Sequence, residues 1–176
     1  KNLGMTNIEL VSTGSRAAAI ADYADADGTS NTIDNVFSTG NITALSDSTG
    51  GDAGSLVGEM HVGTISNSFS SATVTGHLAG GLVGQLTTGT ITDSYATGEV
   101  NGNVEAIDVG GLVGRMASGA ITDSYSSGLV YSVANNIGGF IGNYVSGTIT
   151  TSYWDTNTSG QSSAAGAGSP TGINGL

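Results

Sequence analysis

Short runs of alternating apolar and polar residues recur along the chain, each three or four residues long and bounded by Gly, Asn or Asp. Thr64-Ile65-Ser66, Thr90-Ile91-Thr92 and Thr148-Ile149-Thr150 are examples. Period-two alternation with β-branched residues predicts strands. No window holds a 3.6-residue apolar stripe of useful length. The runs sit inside a larger repeat. Gly80-Gly81-Leu82-Val83-Gly84 followed by Gly89-Thr90-Ile91-Thr92-Asp93-Ser94-Tyr95 is written again from Gly110 and from Gly138, and more loosely from Gly54. Three landmarks keep one spacing: Leu56, Leu82, Leu112 and Phe140; Ile65, Ile91, Ile121 and Ile149; Phe69, Tyr95, Tyr125 and Tyr153. In each series the steps are 26, 30 and 28 residues. A period in the twenties marks a stacked array.

Each repeat offers about three short strands, at Leu-Val, at Thr-Ile-Thr and at a later Val (Val74, Val100, Val130). None could bury its apolar face alone, whereas coils laid one on another at about 4.8 Å would turn the landmarks into interior columns. The expectation is an all-β, single-stranded β-solenoid of about five to six rungs, roughly 26–30 residues each. Rungs fall near 2–17, 18–53, 54–79, 80–109, 110–137 and 138–159, within an array covering 1–159. The three landmark series are its structural core ladder. In the degenerate early copy, Ala18-Ala19-Ile20-Ala21 stands in the Gly-Gly-Leu-Val place. Residues 160–176, rich in Ser, Ala and Gly, form a C-terminal cap or tail whose composition leans toward weak order.

Composition narrows the function classes. Thirty of 176 residues are Gly and one is Pro, so the glycines serve tight corners. The absence of Cys excludes a disulfide scaffold, a thiolate metal site and a Cys nucleophile. Fourteen acids against three bases (Lys1, Arg16, Arg115) give a net charge of −11. That surface repels phosphate backbones and anionic lipid, so nucleic acid is a poor partner. No apolar run is long enough for membrane insertion as a helix. A chain that opens on Lys in mid-rung reads as an excised piece, for which contiguous domains or end-to-end self-assembly are expected.

The repeated Gly-Gly-Leu-Val-Gly…Gly-x-Ile-x-x-Ser-Tyr-x-x-Gly-x-Val resembles the GLUG motif, closely over 54–153 and loosely over 2–43. Tyr153-Trp154-Asp155 before a Ser/Gly-rich stretch resembles the end of such arrays. GLUG motifs occur in tandem in large secreted and surface proteins of bacteria. These include filamentous-haemagglutinin-like adhesins and non-catalytic parts of some immunoglobulin A peptidases. The resemblance implies an extracellular or cell-surface location and an adhesive or stalk role. It implies no enzyme activity and supplies no catalytic residues.

Candidate sites follow from the periodicity. With Ile91 inward, Thr90 and Thr92 turn outward; their counterparts Thr64, Ser66, Thr122, Thr148 and Thr150 complete a hydroxyl-rich binding face, interrupted by Ala120. Such an array resembles the ice-binding face of solenoid antifreeze proteins, and equally reflects the β-propensity of Thr on a solvated wall. Asp22, Asp25, Asp27 and Asp34 gather in one insertion whose oxygens suit calcium, although Tyr23 interrupts any EF-type pattern; the plainer reading is a solvated acidic loop. No other cofactor is indicated.

Asp93 and Asp123 hold equivalent places in adjacent rungs. They read as corner caps rather than the acid pair of a carbohydrate-active β-helix enzyme. His61 and His77 read as exposed strand and loop residues. The aromatic series reads as packing, with a sugar-stacking strip anchored by Trp154 as its alternative. The expected partner is therefore a ligand on a host or neighbouring cell, protein or glycan, or else ice.

Overall fold

A computed structural model describes residues 2–24, 31–45, 51–133 and 135–176. It is a parallel β-solenoid in which each coil pairs with the one before and the one after. The three expected strands of the central coil are Val83–Leu86, Thr90–Thr92 and Val100–Gly102. Two more, Leu78–Gly80 and Tyr95–Ala96, give the coil five sides. Each lies in register on the next coil. Ala79 meets Val109, Val83 meets Val113, Ile91 meets Ile121, Tyr95 meets Tyr125 and Val100 meets Val130.

The early copy follows the same plan, with Ala21 paired to Val57 and Ile33 to Ile65. Leu3–Ser12 lies along Val36–Ala44, with a slip between Met5 and Ile8. At the other end Ala165–Ala167 pairs with the Ile141–Tyr144 strand, and Ile173–Gly175 with Ser152–Trp154, so the tail lays a final partial coil on the stack. The one helical turn among the described residues, Thr156–Ser159, is capped by Asp155.

The interior is pinched into two cores. The larger holds Leu56, Leu82, Leu112 and Phe140 with Ile65, Ile91, Ile121 and Ile149, all fully buried but for 4% of Ile149. The smaller holds Ile42, Val74, Val100 and Val130 against Ala53, Ala79 and Val109. Burying each such side chain contributes about 1.5–3 kcal/mol. The repeat's glycines make the pinch. A Cβ on Gly84 would lie 2.6 Å from the Gly58 carbonyl oxygen and 2.9 Å from the Ala53 amide nitrogen. One on Gly81 would lie 2.2 Å from the Gly111 carbonyl oxygen and 2.5 Å from the Ala96 methyl. Only glycine lets the Leu78–Gly80 and Val83–Leu86 walls double back in backbone contact. Across the pinch stand the small buried residues Ser70, Ala96 and Ser126, and Ser126 Oγ donates to the Gly139 carbonyl at 2.7 Å.

The corner after the Thr-x-Thr strand explains the Asn/Asp of the repeat. Asn35, Asn67, Asp93, Asp123 and Thr151 all take a left-handed conformation, with φ between 47° and 56°, which Asn and Asp tolerate better than other side chains. Immediately after it, Ser68, Ser94, Ser124 and Ser152 turn inward. Each hydroxyl donates to the carbonyl two residues back, at 2.7–2.9 Å. Each also accepts an amide of the preceding coil, from Val36, Ser68, Ser94 and Ser124 at 3.1–3.4 Å.

This corner corrects one expectation. Phe69, Tyr95, Tyr125 and Tyr153 stand on the outside of the wall, not in the core ladder; Tyr125 is 41% exposed. The left-handed residue resets the alternation so that Ser94 and Ala96 point inward, leaving Tyr95 outside.

Two outcomes follow for stability. Thr151 is β-branched and exposed at a left-handed corner, so Thr151→Asn should stabilise the fold by about 1 kcal/mol, seen as a rise in Tm of about 2–4 °C. Ser94→Ala strands the Ser68 amide and the Thr92 carbonyl in a buried corner. It should cost about 1–3 kcal/mol in urea or thermal unfolding.

Candidate binding faces

The hydroxyl face is built by the Thr-x-Thr strands. Thr32, Thr64, Thr90, Ala120 and Thr148 form one unbroken column, and Asp34, Ser66, Thr92, Thr122 and Thr150 the other. Parallel pairing spaces neighbours in a column by about 4.8 Å. Many hydroxyls already have partners. Thr122 Oγ1 lies 3.1 Å from Thr150 Oγ1, Ser66 Oγ donates to Asp34 Oδ1 at 2.8 Å, and Thr92 Oγ1 donates to Asp93 Oδ2 at 3.0 Å. Alongside runs the aromatic column, with Phe37, Phe69, Tyr95 and Tyr125 stacked nearly parallel. Burial, and then the neighbouring Tyr95, push the Tyr125 hydroxyl pKa upward.

The four acids weighed for calcium are distributed as follows. Asp25 and Asp27 lie outside the described residues. Asp22 is exposed on Ala21–Ala24, and Asp34 is exposed on Thr32–Asp34. The Asp34 carboxylate accepts from Asn67 Nδ2 as well as Ser66 Oγ, and these bonds hold its pKa below the usual carboxylate range. Among the described residues no group of three His, Cys, Asp or Glu has the geometry of a metal site. Trp154, weighed as a sugar anchor, is buried in the larger core.

Sequence reasoning missed a polar cluster where the two walls double back. One wall stacks Arg16, Asp52, Leu78, Asp108 and Asn136. The other stacks Tyr23, Glu59, Gln85, Arg115 and Asn143. Side chains bridge the walls. Arg16 Nη2 binds Glu59 Oε2, and Arg16 Nε lies 3.6 Å from Asp52 Oδ2. Asn143 Nδ2 reaches Asp108 Oδ2 at 3.3 Å, while Asn136 Nδ2 donates to Asp108 Oδ1 at 2.6 Å.

Gln85 Nε2 and His61 Nε2 meet Glu59 Oε1 at 3.0 and 2.7 Å. His61 is thus held by Glu59, with its ring against Tyr23, rather than free on a loop. The Arg16 guanidinium sits 4.7 Å over the Tyr23 ring. Asp52, Glu59 and Asp108 are nearly closed to solvent. The available signal was the recurrence of polar residues of mixed charge at the two positions flanking the Gly-Gly-Leu-Val copies (Asp52, Asp108 and Asn136 before; Glu59, Gln85, Arg115 and Asn143 after).

Burial, reinforced by the nearby Glu59 charge, pushes Asp52 up to about 6, while Arg16 and Arg115 pull the other way. A carboxyl raised on folding costs stability once the unfolded chain ionises, so the penalty is absent below about pH 4 and grows as pH rises through about 6. Asp52→Asn should therefore gain stability relative to the parent as pH rises from 4 to 8. Paired thermal melts across that range check it.

Residues 76–101, one coil running from the Gly76 corner through Val100, match the model of the GLUG motif. The solenoid is similar to a crystal structure from Bacteroides ovatus described as a candidate immunoglobulin A1 protease. The two share 21% identity with a TM-score of 0.79, over 98% of this chain and 59% of that one. This chain thus spans about three fifths of that protein's length, and at this identity the likeness is one of fold. No curated protein matches the chain. The Gly-Gly-Leu-Val-Gly repeat that pinches the coils is a GLUG-motif region carried on a parallel β-solenoid.

Proposed function

We propose that the chain is a non-catalytic, rigid segment of a bacterial extracellular surface protein, presenting a flat face to a protein or glycan on a host or neighbouring cell. The observation carrying this reading is the Thr-x-Thr wall. It holds register from Thr32–Asp34 to Thr148–Thr150 without a slip, so two continuous columns of short side chains, polar except at Ala120, stand on one surface. Coils interact mainly with their neighbours, so such a rod lengthens without redesign. With a net charge of −11, and Arg16 and Arg115 turned into the cluster between the walls, the outer surface is strongly acidic.

The name given to the Bacteroides structure would suggest a peptidase. The acids described here favour a structural role instead. Asp93 and Asp123 form corners, and Asp52 and Glu59 are closed in beside Arg16. The second reading is an ice-binding face, favoured by the two-column Thr array. Against it, the hydroxyls of Ser66, Thr92, Thr122 and Thr150 bond to one another or to carboxylates, which leaves fewer to match a lattice.

The test is a glycan array and cell-retention assay with the immobilised chain, run beside a Thr92→Lys/Thr122→Lys variant. Saturable retention that the variant loses by tenfold or more is the expected result. Ice shaping without retention would replace this reading with the second, and release of sugar or peptide fragments from a substrate would replace both with an enzyme.

A further inference from the structure

The aromatic column contains a break. Ring centroids of Phe37, Phe69, Tyr95 and Tyr125 follow one another at 5.2, 5.0 and 4.8 Å, with planes within 7°. Tyr153 is the backbone partner of Tyr125 in the next coil, so its ring should come next. Among the described residues the stack ends at Tyr125. Beside it opens a cavity of about 160 Å³ lined by Tyr125, Ser127, Tyr153, Trp154, Asp155 and Leu176. One face of Tyr125 lies on Tyr95, so the face toward the Tyr153 coil is the one turned to the opening.

The wall supplied by Asp155 carries charge. Its Oδ1 accepts the amides of Asn157 at 2.8 Å and Thr158 at 3.1 Å as the cap of a single helical turn. The Thr158 and Asn157 amides hold the carboxyl below its usual range, so it is ionised throughout the neutral region. Arg16 and Arg115 sit in the cluster between the doubled-back walls, and neither lines this opening. The chain as a whole is at −11. An aromatic face beside a carboxylate that neither arginine reaches attracts a positive group by the ring quadrupole and by charge together. The cavity is smaller than the roughly 300–1,000 Å³ of pockets that engulf whole small molecules, so it fits a head group.

We propose that this opening binds a compact organic cation, an ammonium or guanidinium head group seated over the open face of Tyr125 and against Asp155. A neutral sugar could use the ring face but would gain nothing from the carboxylate's charge. The site stands on its own geometry and does not depend on the adhesive reading.

Tyrosine and tryptophan fluorescence of the whole chain tests it by titration with four probes. Choline and N-acetylarginine amide separate a quaternary ammonium source from a protein side chain. 3,3-Dimethylbutan-1-ol is the uncharged shape of choline, and methyl glucoside stands for a neutral sugar. The expected result is saturation by at least one cation in the millimolar range, with the uncharged analogue about tenfold weaker or more. Asp155→Asn keeps a good helix cap and should weaken cation binding about tenfold. Tyr125→Leu, with circular dichroism confirming the fold, should abolish it. Equal binding of the uncharged analogue or the glucoside, unchanged affinity in Asp155→Asn, or no saturation by either cation overturns the proposal.

Discussion

Parallel, in-register pairing of successive coils is the constraint from which the rest of this molecule follows. It places each residue about 4.8 Å from its counterpart above and below, so the chain must choose residues that tolerate standing on their own kind. Leucine on leucine, isoleucine on isoleucine and ring on ring do so with gain, and these are the columns the repeat keeps. Charges do not. One buried column shows how the conflict is handled: Asp52 and Asp108 are separated by Leu78, and the coil before Asp52 places Arg16 on it. Where Asp52 and Glu59 do face each other between the walls, Arg16 lies against both.

That arrangement also fixes how the coil changes direction. A five-sided outline needs corners that repeat at one place in every coil. Two chemistries supply them: paired glycines where two backbones touch, and Asn or Asp where a single residue turns left-handed. The buried serine beyond the left-handed corner adds a bond to its own coil and another to the preceding one. Each corner is thereby fastened within a coil and between coils at once, and short strands stay in register without long ones.

The columns were legible because one spacing served three landmarks, and stacking is the only economical way to bury Leu82, Ile91 and their counterparts. What the alternation could not reveal is where it is reset. Thr90-Ile91-Thr92 alternates as a strand does and is one, but the left-handed Asp93 moves Tyr95 to the outer surface, and no period-two count registers that step. The Arg16–Asp52–Glu59 cluster was hidden for a related reason. Residues that look solvent-facing on each strand taken alone become buried once Gly81 and Gly84 allow the walls to close on each other. Composition likewise hid the role of Ala165–Ala167: small residues suit a strand that must lie flat on the last full coil.

A repeat also determines where specific chemistry can arise. A position that turns the same corner in successive copies, as those of Asn67, Asp93 and Asp123 do, is tied to the fold and is poorly placed to recognise anything else. Freedom lies where the pattern fails. Tyr153 leaves the aromatic stack, Asp155 starts a helical turn in place of a strand, and the final partial coil brings Leu176 back beside them. Regular coils give this molecule continuous columns, and the departure from that regularity at Tyr153 and Asp155 opens a concave place of distinct composition. Recognition that goes beyond generic contact with a flat wall is therefore to be sought at the interruptions of the array.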